Sequence, residues 1–113
     1  MARIKRAYGL ALYEINDGKV RDAYGPPVYE IASGKVKRAY GNILFEIVGN
    51  KIKAAYGNYL LEIEGNKVKR CYGSYVAEIE GNRIKQAYGP YLYEIEGTLS
   101  REELMGLIAI LFA

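Results

Sequence analysis

One phrase of sixteen residues recurs six times along the chain, with no insertion between the copies. The copies span 3–18, 19–34, 35–50, 51–66, 67–82 and 83–98. A loose consensus is K-V-K-x-A-Y-G-x-x-L-Y-E-I-x-G-N, and glycine occurs twice in each copy, about eight residues apart. Glycine at that interval would break any helix, whereas the Val-, Ile- and Tyr-rich segments between the glycines are typical of strands. The repeat therefore predicts a mainly β fold, an antiparallel meander of twelve short strands built from six β-hairpins.

The glycine-containing dipeptides between the strands predict two-residue hairpin loops. Such loops favour type I′ and II′ turns, because the twist of these turns matches that of the strands. Asp17-Gly18 and Ser33-Gly34 predict type I′, and the dipeptides in which glycine comes first predict type II′. If every loop has two residues, the flanking side chains pair directly and share a face. The side-chain parity then stays constant along all twelve strands.

This constant parity divides the side chains between an apolar face and a charged face. The apolar face carries an Ile/Val row, made of Ile4, Ile15, Val20, Ile31, Val36, Ile47, Ile52, Ile63, Val68, Ile79, Ile84 and Ile95. It also carries a tyrosine row, made of Tyr8, Tyr24, Tyr40, Tyr56, Tyr59, Tyr72, Tyr75, Tyr88 and Tyr91. The charged face alternates strictly in sign through Lys5, Glu14, Arg21, Glu30, Lys37, Glu46, Lys53, Glu62, Lys69, Glu78, Lys85 and Glu94. We expect the charges to meet solvent and the tyrosines to cap one end of the core.

After the last repeat, residues 99–113 predict an apolar C-terminal helix. Ser100 and Glu103 have the spacing of a capping box, and residues 104–112 are apolar on nearly every side, so the helix needs burial all round. The Ile/Val row also needs a cover, and the two end strands need partners. One domain over 1–113 meets both needs if the sheet closes as a barrel around the helix. The alternative is an open sheet stacked face to face in a dimer.

Two resemblances follow from these features. A twelve-stranded barrel with the segment LMGLIAILFA inside it resembles the architecture of the tubby and phospholipid-scramblase proteins. The phrase Y-G-x-x-L-Y-E-I-x-G, which covers most of the chain through its copies, resembles the hairpin repeats of small bacterial beta-flower proteins. The first resemblance implies a barrel threaded by a C-terminal helix, and the second implies a radial arrangement of hairpins. Neither implies an activity or a site residue.

Composition excludes several kinds of active site. The chain has no histidine and one cysteine, so the common metal-ligand sets and catalytic triads are missing. Cys71 occupies the position that Ala55 and Ala87 have in neighbouring repeats, which indicates a small packing residue. The net charge of +3 gives no strong signal for nucleic acid or membrane. We therefore expect no enzyme activity, no metal and no cofactor, and the single cysteine fits a cytoplasmic location.

Tyrosine is the enriched residue type, with twelve copies, and its rings can stack on bases or sugars. The candidate binding residues form a Tyr/Arg rim beside the Tyr-Gly dipeptides and are Tyr40, Tyr56, Tyr72, Tyr75, Tyr88, Arg38 and Arg70. The sequence predicts a non-enzymatic structural or binding repeat protein. The alternative is a small-ligand or nucleic-acid binding module that uses this rim. Self-association as a homodimer is the one partner that the sequence suggests.

Overall fold

The computed structural model describes all 113 residues and contains twelve strands followed by one helix. The strands are β1 (Ala2–Arg6), β2 (Ala11–Asn16), β3 (Lys19–Asp22), β4 (Pro27–Ala32), β5 (Lys35–Arg38), β6 (Ile43–Val48), β7 (Lys51–Ala54), β8 (Tyr59–Glu64), β9 (Lys67–Arg70), β10 (Tyr75–Glu80), β11 (Arg83–Gln86) and β12 (Tyr91–Gly97), and the helix is α1 (Arg101–Phe112). Each strand pairs antiparallel with the next, and β1 also pairs with β12, so the meander closes into a barrel. The predicted mainly β barrel with a C-terminal helix is confirmed, and the open sheet is not formed.

The barrel is low and broad, with principal extents of 36 × 34 × 18 Å. Its strands have only four to seven residues, which limits its height. One end of the barrel carries the glycine turns, which are the dipeptides at 17–18, 33–34, 49–50, 65–66 and 81–82. The other end carries the tyrosine loops, which are residues 7–9, 23–25, 39–41, 55–57, 71–73 and 87–89.

The glycine turns have the predicted types. Asp17 and Gly18 both have positive φ, at 52° and 78°, as a type I′ turn requires, and the Ser33-Gly34 turn does the same. At the Gly49-Asn50 turn only the glycine has positive φ, at 62°, which is the type II′ pattern. These turns keep the predicted direct pairing, so that Ile63 lies opposite Val68 across the turn at 65–66.

The tyrosine loops differ from the prediction, because each holds three residues instead of two. In the first loop the Gly9 N–H donates to the Arg6 carbonyl at 3.0 Å, and the Arg6 N–H donates to the Leu10 carbonyl at 3.0 Å. The tyrosine takes the left-handed conformation, with φ of 62° at Tyr8, and the glycine does not. The type II′ turns predicted at these dipeptides are therefore wrong. A Cβ on Gly9 would lie 3.1 Å from the Arg6 Cβ, so a side chain there would crowd Arg6, which favours glycine at this position.

The third loop residue shifts the strand register at every tyrosine loop. Lys69 therefore lies opposite Tyr75 instead of Glu78, and Glu78 lies opposite Lys67. A β-bulge of this kind moves side chains to the other face of the sheet. The predicted constant parity is wrong at this end of the barrel, and the tyrosine row does not form on the apolar face.

The charge ladder survives across the glycine turns, where the register is as predicted. Its ammonium and carboxylate groups form ion pairs on the outer wall, at 3.9 Å for Lys69–Glu62, and the barrel closure adds Lys5–Glu94 at 3.6 Å. Such half-exposed pairs contribute only about 0–1 kcal/mol each. They mark the outer face and fix the register rather than supply most of the stability.

The core lies inside the barrel near the glycine turns. Ten of the twelve members of the Ile/Val row are buried, and Ile47 and Ile79 are half-buried against the same core. The helix contributes Met105, Leu107 and Ile108, which are at most 2% exposed. The predicted assignment of the Ile/Val row and the helix to one core is confirmed.

Helix α1 enters the barrel from the end that carries the glycine turns. Both bonds of the predicted capping box are present, since Glu103 N–H donates to Ser100 Oγ at 3.1 Å and Ser100 N–H donates to Glu103 Oε1 at 3.0 Å. The second oxygen of Glu103 accepts the Gly18 N–H at 2.9 Å, and Glu102 accepts the Gly34 N–H. Two glycine turns are thereby attached to the first turn of the helix, which fixes where the helix enters.

Acid should weaken this attachment. Partial burial alone would raise the pKa of Glu103, but the N–H donors of Ser100 and Gly18 outweigh it and hold this pKa below its ordinary value. A carboxylate with a lowered pKa in the folded state stabilises the protein above its unfolded pKa of about 4.3, and that contribution disappears as the pH falls through the folded pKa. We expect Glu103→Gln to lower the free energy of unfolding by about 1 kcal/mol at neutral pH.

The difference in the free energy of unfolding between the wild type and Glu103→Gln should decrease as the pH falls from about 6 to about 3, as measured by urea unfolding. The control Glu96→Gln removes only an exposed ion pair with Lys5 at 3.6 Å, so it should lower the free energy of unfolding at neutral pH by less than Glu103→Gln does. A difference between the wild type and Glu103→Gln in the free energy of unfolding that stays constant down to a pH of about 3 would contradict the assigned role of Glu103.

Candidate functional site

The outermost side chains at one end of the barrel are tyrosines at the tips of the tyrosine loops. We call them the tyrosine rim, and its members are Tyr8, Tyr24, Tyr40, Tyr56, Tyr72 and Tyr88. Each is between 92% and 100% exposed. The expectation that tyrosines cap one end of the core is therefore wrong for these positions, because rings that are fully solvated bury no apolar surface.

Five members of the tyrosine rim share the same unfavourable backbone conformation. Their φ values lie between 59° and 64°, and Tyr24 is the one member outside the left-handed region. That region costs about 1–2 kcal/mol for a residue with a Cβ, and it is adopted readily only by glycine and to a lesser degree by asparagine or aspartate. Neither the burial nor the backbone explains why tyrosine occupies these tips, so the fold gains nothing from the side chain that the sequence places there.

The arginines of the predicted rim do not share a surface with these tyrosines. Arg38 lies opposite Tyr29 and Arg70 lies opposite Leu61, both on the face that carries the Ile/Val row. Both arginines are exposed at the end with the tyrosine loops, as is Arg6, and none of the three forms an ion pair. The single Tyr/Arg rim predicted from the sequence is therefore divided between the inner mouth of the barrel and its outer tips.

A second set of tyrosines lies on the outer wall, at the first residue of three successive six- or seven-residue strands. We call Tyr59, Tyr75 and Tyr91 the lateral tyrosines. A cation from the preceding strand lies over each ring, at 5.4 Å for Lys51, 5.2 Å for Lys67 and 5.1 Å for Arg83 from the ring centroids. These cation–π contacts restrict the orientation of the rings.

The hydroxyls of two lateral tyrosines reach back to the preceding hairpin. Tyr75 Oη donates to Glu64 at 3.1 Å, and Tyr91 Oη donates to Glu80 at 2.7 Å. The hydrogen bond to Glu80, together with the charge of that carboxylate, raises the pKa of the Tyr91 hydroxyl above its ordinary value. Each of these lateral tyrosines is thus fixed at both its ring and its hydroxyl, and it presents a pre-positioned surface.

A cleft opens beside each of these two lateral tyrosines and ends at a member of the tyrosine rim. The first has a volume of about 90 Å³ and is lined by Lys67, Tyr75, Ala77, Glu78, Lys85, Ala87 and Tyr88. The second has a volume of about 220 Å³ and is lined by Arg83, Tyr91, Tyr93, Glu94, Lys5, Ala7 and Tyr8. Each residue that lines the first cleft has its counterpart in the second cleft at the equivalent position of the next sixteen-residue repeat. The second cleft lies across the junction of β12 and β1, where the barrel closes.

The same residue types occur once more around the third lateral tyrosine. Lys69 and Glu62 form an ion pair at 3.9 Å there, as Lys85 and Glu78 do at 3.7 Å in the first cleft. Cys71 stands at the position of Ala87, half-buried and with a free thiol. In the other half of the barrel the lateral position holds Ala11, Pro27 or Ile43. The aromatic clefts are therefore confined to one side of the barrel.

The structure thus unites two of the predicted site residues, Tyr75 and Tyr88, in one cleft. It leaves Tyr40, Tyr56 and Tyr72 at exposed tips and places Arg38 and Arg70 on the opposite face of the sheet. Sequence reasoning missed Tyr8, Tyr91 and the Lys–Glu pairs as parts of the same surface, because it assumed two-residue loops. The bond that closes each three-residue loop is accepted by a backbone carbonyl, such as that of Leu10 or Pro26, which any residue type supplies, so the residue type at this position gave no signal of loop length.

No group of three or more His, Cys, Asp or Glu side chains is arranged to hold a metal ion. No helix has the length and the apolar character that crossing a lipid bilayer requires. Comparison of the chain with protein-family models, with curated protein sequences and with solved structures finds no match.

Proposed function

We propose that this protein is a non-enzymatic binding module that takes up ring-bearing ligands in the clefts beneath its tyrosine rim. The supporting observation is the rim itself, where five tyrosines share a left-handed backbone and carry rings that are at least 92% exposed. A protein with a purely structural role would favour glycine or asparagine at these tips. The exposed rings of the rim supply contact area to a ligand, and the lateral tyrosines Tyr75 and Tyr91, which are fixed at ring and hydroxyl, add contact area at low entropic cost.

The clefts suit small ligands better than a nucleic-acid strand. In the first cleft Lys85 is paired with Glu78, and in the second Lys5 is paired with Glu94. The one further cation of each cleft already lies over a tyrosine ring, so the wall offers phosphates little free positive charge. The unpaired arginines, such as Arg38 and Arg70, lie on the other face of the sheet. A cytoplasmic location, a homodimer and membership among beta-flower or tubby-like proteins remain predictions from the sequence.

The proposal is tested with two small ring-bearing probes, adenosine and methyl β-D-glucopyranoside, and with tetramethylammonium as a probe that has no ring. Ligand-observed saturation-transfer NMR should detect binding of at least one ring-bearing probe to the wild type. The signal should disappear in a variant in which all six rim tyrosines are replaced by asparagine. The matched control is Tyr13→Phe, which changes a half-buried tyrosine that faces the core and should leave binding intact.

Circular dichroism of the six-site variant shows whether the fold is retained, so loss of binding can be separated from unfolding. A labelled poly-thymidine oligonucleotide forms a further arm at low salt. Retention of the oligonucleotide that weakens steeply with added salt would replace the small-ligand proposal with the nucleic-acid alternative. If no ring-bearing probe and no oligonucleotide binds, the proposed function is wrong.

A further inference from the structure

The two clefts on the outer wall combine aromatic rings with ion-paired lysine and glutamate side chains, and this combination specifies a ligand class. This inference rests on the proposed function and deepens it. The first cleft is bounded by the fixed ring of Tyr75 and the exposed ring of Tyr88, with the Glu78–Lys85 ion pair between them. The second repeats this arrangement with Tyr91, Tyr8 and the Glu94–Lys5 pair.

Charge balance argues against an ionic ligand. Around Tyr75 the two ammonium groups of Lys67 and Lys85 are matched by the two carboxylates of Glu64 and Glu78. An anion would be repelled by these carboxylates, and a quaternary ammonium ligand would be repelled by the ammonium group of Lys67, which already lies 5.2 Å from the ring centroid. The cleft is therefore best matched to a ligand that is neutral and polar.

The hydrogen-bonding groups of the cleft restrict the class of ligand further. An ammonium group donates only and a carboxylate accepts only, so a Lys–Glu pair offers both functions side by side. Hydroxyl groups use both functions, because each one donates once and accepts up to twice. The aromatic rings that line the clefts are meanwhile complementary to an apolar face on the ligand. A pyranose ring with equatorial hydroxyls meets both demands, because its hydroxyls point outward around the edge and its C–H groups form flat faces.

The clefts also occur in register along the wall. Successive clefts are separated by two strands, which is about 10 Å measured across the strands. A chain of linked pyranose rings is long enough to reach both clefts, and simultaneous contact raises the apparent affinity through effective concentration. The third lateral tyrosine, Tyr59, continues the same line with its own Lys69–Glu62 pair.

We infer that the outer wall at the lateral tyrosines binds neutral oligosaccharides of β-linked glucose type, one stretch of sugar rings lying across neighbouring clefts. Tyr75 and Tyr91 provide the stacking faces, and the Lys–Glu pairs bind the hydroxyls. The half of the barrel with Ala11, Pro27 and Ile43 at the lateral positions lacks these stacking faces and does not take part.

The experiment titrates cellohexaose and cellobiose into the full-length, isotope-labelled protein and follows the backbone amide shifts by NMR. We expect shifts concentrated in β10 and β12 and in the loop at 87–89, with the hexasaccharide binding at least about 10-fold more tightly than the disaccharide. The double variant Tyr75→Ala with Tyr91→Ala should weaken hexasaccharide binding at least about 10-fold. The matched control Ile43→Ala, at the equivalent lateral position on the other side, should leave the affinity unchanged.

Three results would overturn the inference. The first is the absence of shifts with cellohexaose up to about 10 mM, which excludes even weak affinity. The second is an unchanged affinity in the folded double variant, and the third is a set of shifts confined to the inner mouth around Arg38 and Arg70. Binding of adenosine without any binding of methyl β-D-glucopyranoside or cellohexaose would refute this inference and leave the proposed function standing. If no probe binds at all, both are wrong.

Discussion

Replacement of Gly106 by valine is expected to lower the free energy of unfolding by about 3 kcal/mol, because the helix meets the barrel wall at this residue without space for a side chain. A Cβ at Gly106 would lie 2.5 Å from Ile31 Cδ1, 2.7 Å from its Cγ1 and 2.9 Å from its Cγ2. Both residues are buried in the core. Valine is a better helix former than glycine, so any loss of stability must come from the contact with the wall.

A double-mutant cycle with Ile31→Ala locates the cause of that loss. Ile31→Ala alone should cost about 2–5 kcal/mol by leaving a cavity, but it also vacates the space that the new valine needs. The double variant should therefore be more stable than the sum of the single effects by at least about 1 kcal/mol. Urea unfolding provides the free energies.

The matched control pairs Gly106→Val with Ile84→Ala. Ile84 is equally buried but belongs to β11, whereas the helix packs most closely against β4, β5 and β6. The effects of that pair should add within about 0.5 kcal/mol. Equal coupling for Ile31 and Ile84 would mean that the helix has no fixed position in the barrel, and no loss of stability in Gly106→Val would contradict its insertion altogether.

This contact also shows what the sequence can predict and where prediction fails. The Ile/Val row, the capping box at Ser100 and Glu103, and the turn types at the glycine turns depend on local rules: side-chain periodicity, hydrogen-bond spacing and the φ preference of glycine. All of them were predictable. The even number of strands together with an apolar tail also predicted closure around the helix.

The tyrosine loops could not be predicted by the same rules. Propensity assigns positive φ to the glycine of the Tyr-Gly dipeptide, whereas the structure assigns it to the tyrosine in five of six loops. The resulting third loop residue moved the lateral tyrosines from the predicted inner face to the outer wall. The sequence therefore predicted two residues of the candidate site, Tyr75 and Tyr88, but not the geometry of the site. The Lys–Glu pairs beside these tyrosines, and the separation of the tyrosines from Arg38 and Arg70, depend on the strand register of the folded protein.

The unfavourable backbone conformation of the tyrosine rim predicts that substitutions there raise the stability of the protein, whereas the substitution at Gly106 is expected to lower it. Replacing Tyr8, Tyr40, Tyr56, Tyr72 and Tyr88 by asparagine is expected to raise the free energy of unfolding by about 2–4 kcal/mol in total. Asparagine adopts the left-handed region at lower cost than tyrosine. Little is lost in exchange, because these side chains are between 92% and 100% exposed and thus bury almost no apolar surface.

Tyr24 supplies an internal control for this prediction, because it occupies the same loop position and is 92% exposed but does not adopt a positive φ. Tyr24→Asn should therefore leave the free energy of unfolding unchanged within about 0.5 kcal/mol. Urea unfolding of Tyr24→Asn, of each single variant and of the five-site variant measures the effects, which should be nearly additive because the loops are separate. A gain in stability accompanied by loss of probe binding would show that the rim tyrosines are retained for binding at a cost to the fold. A loss of stability at the five sites would instead assign the tyrosines a structural role and remove the main support for the proposed function.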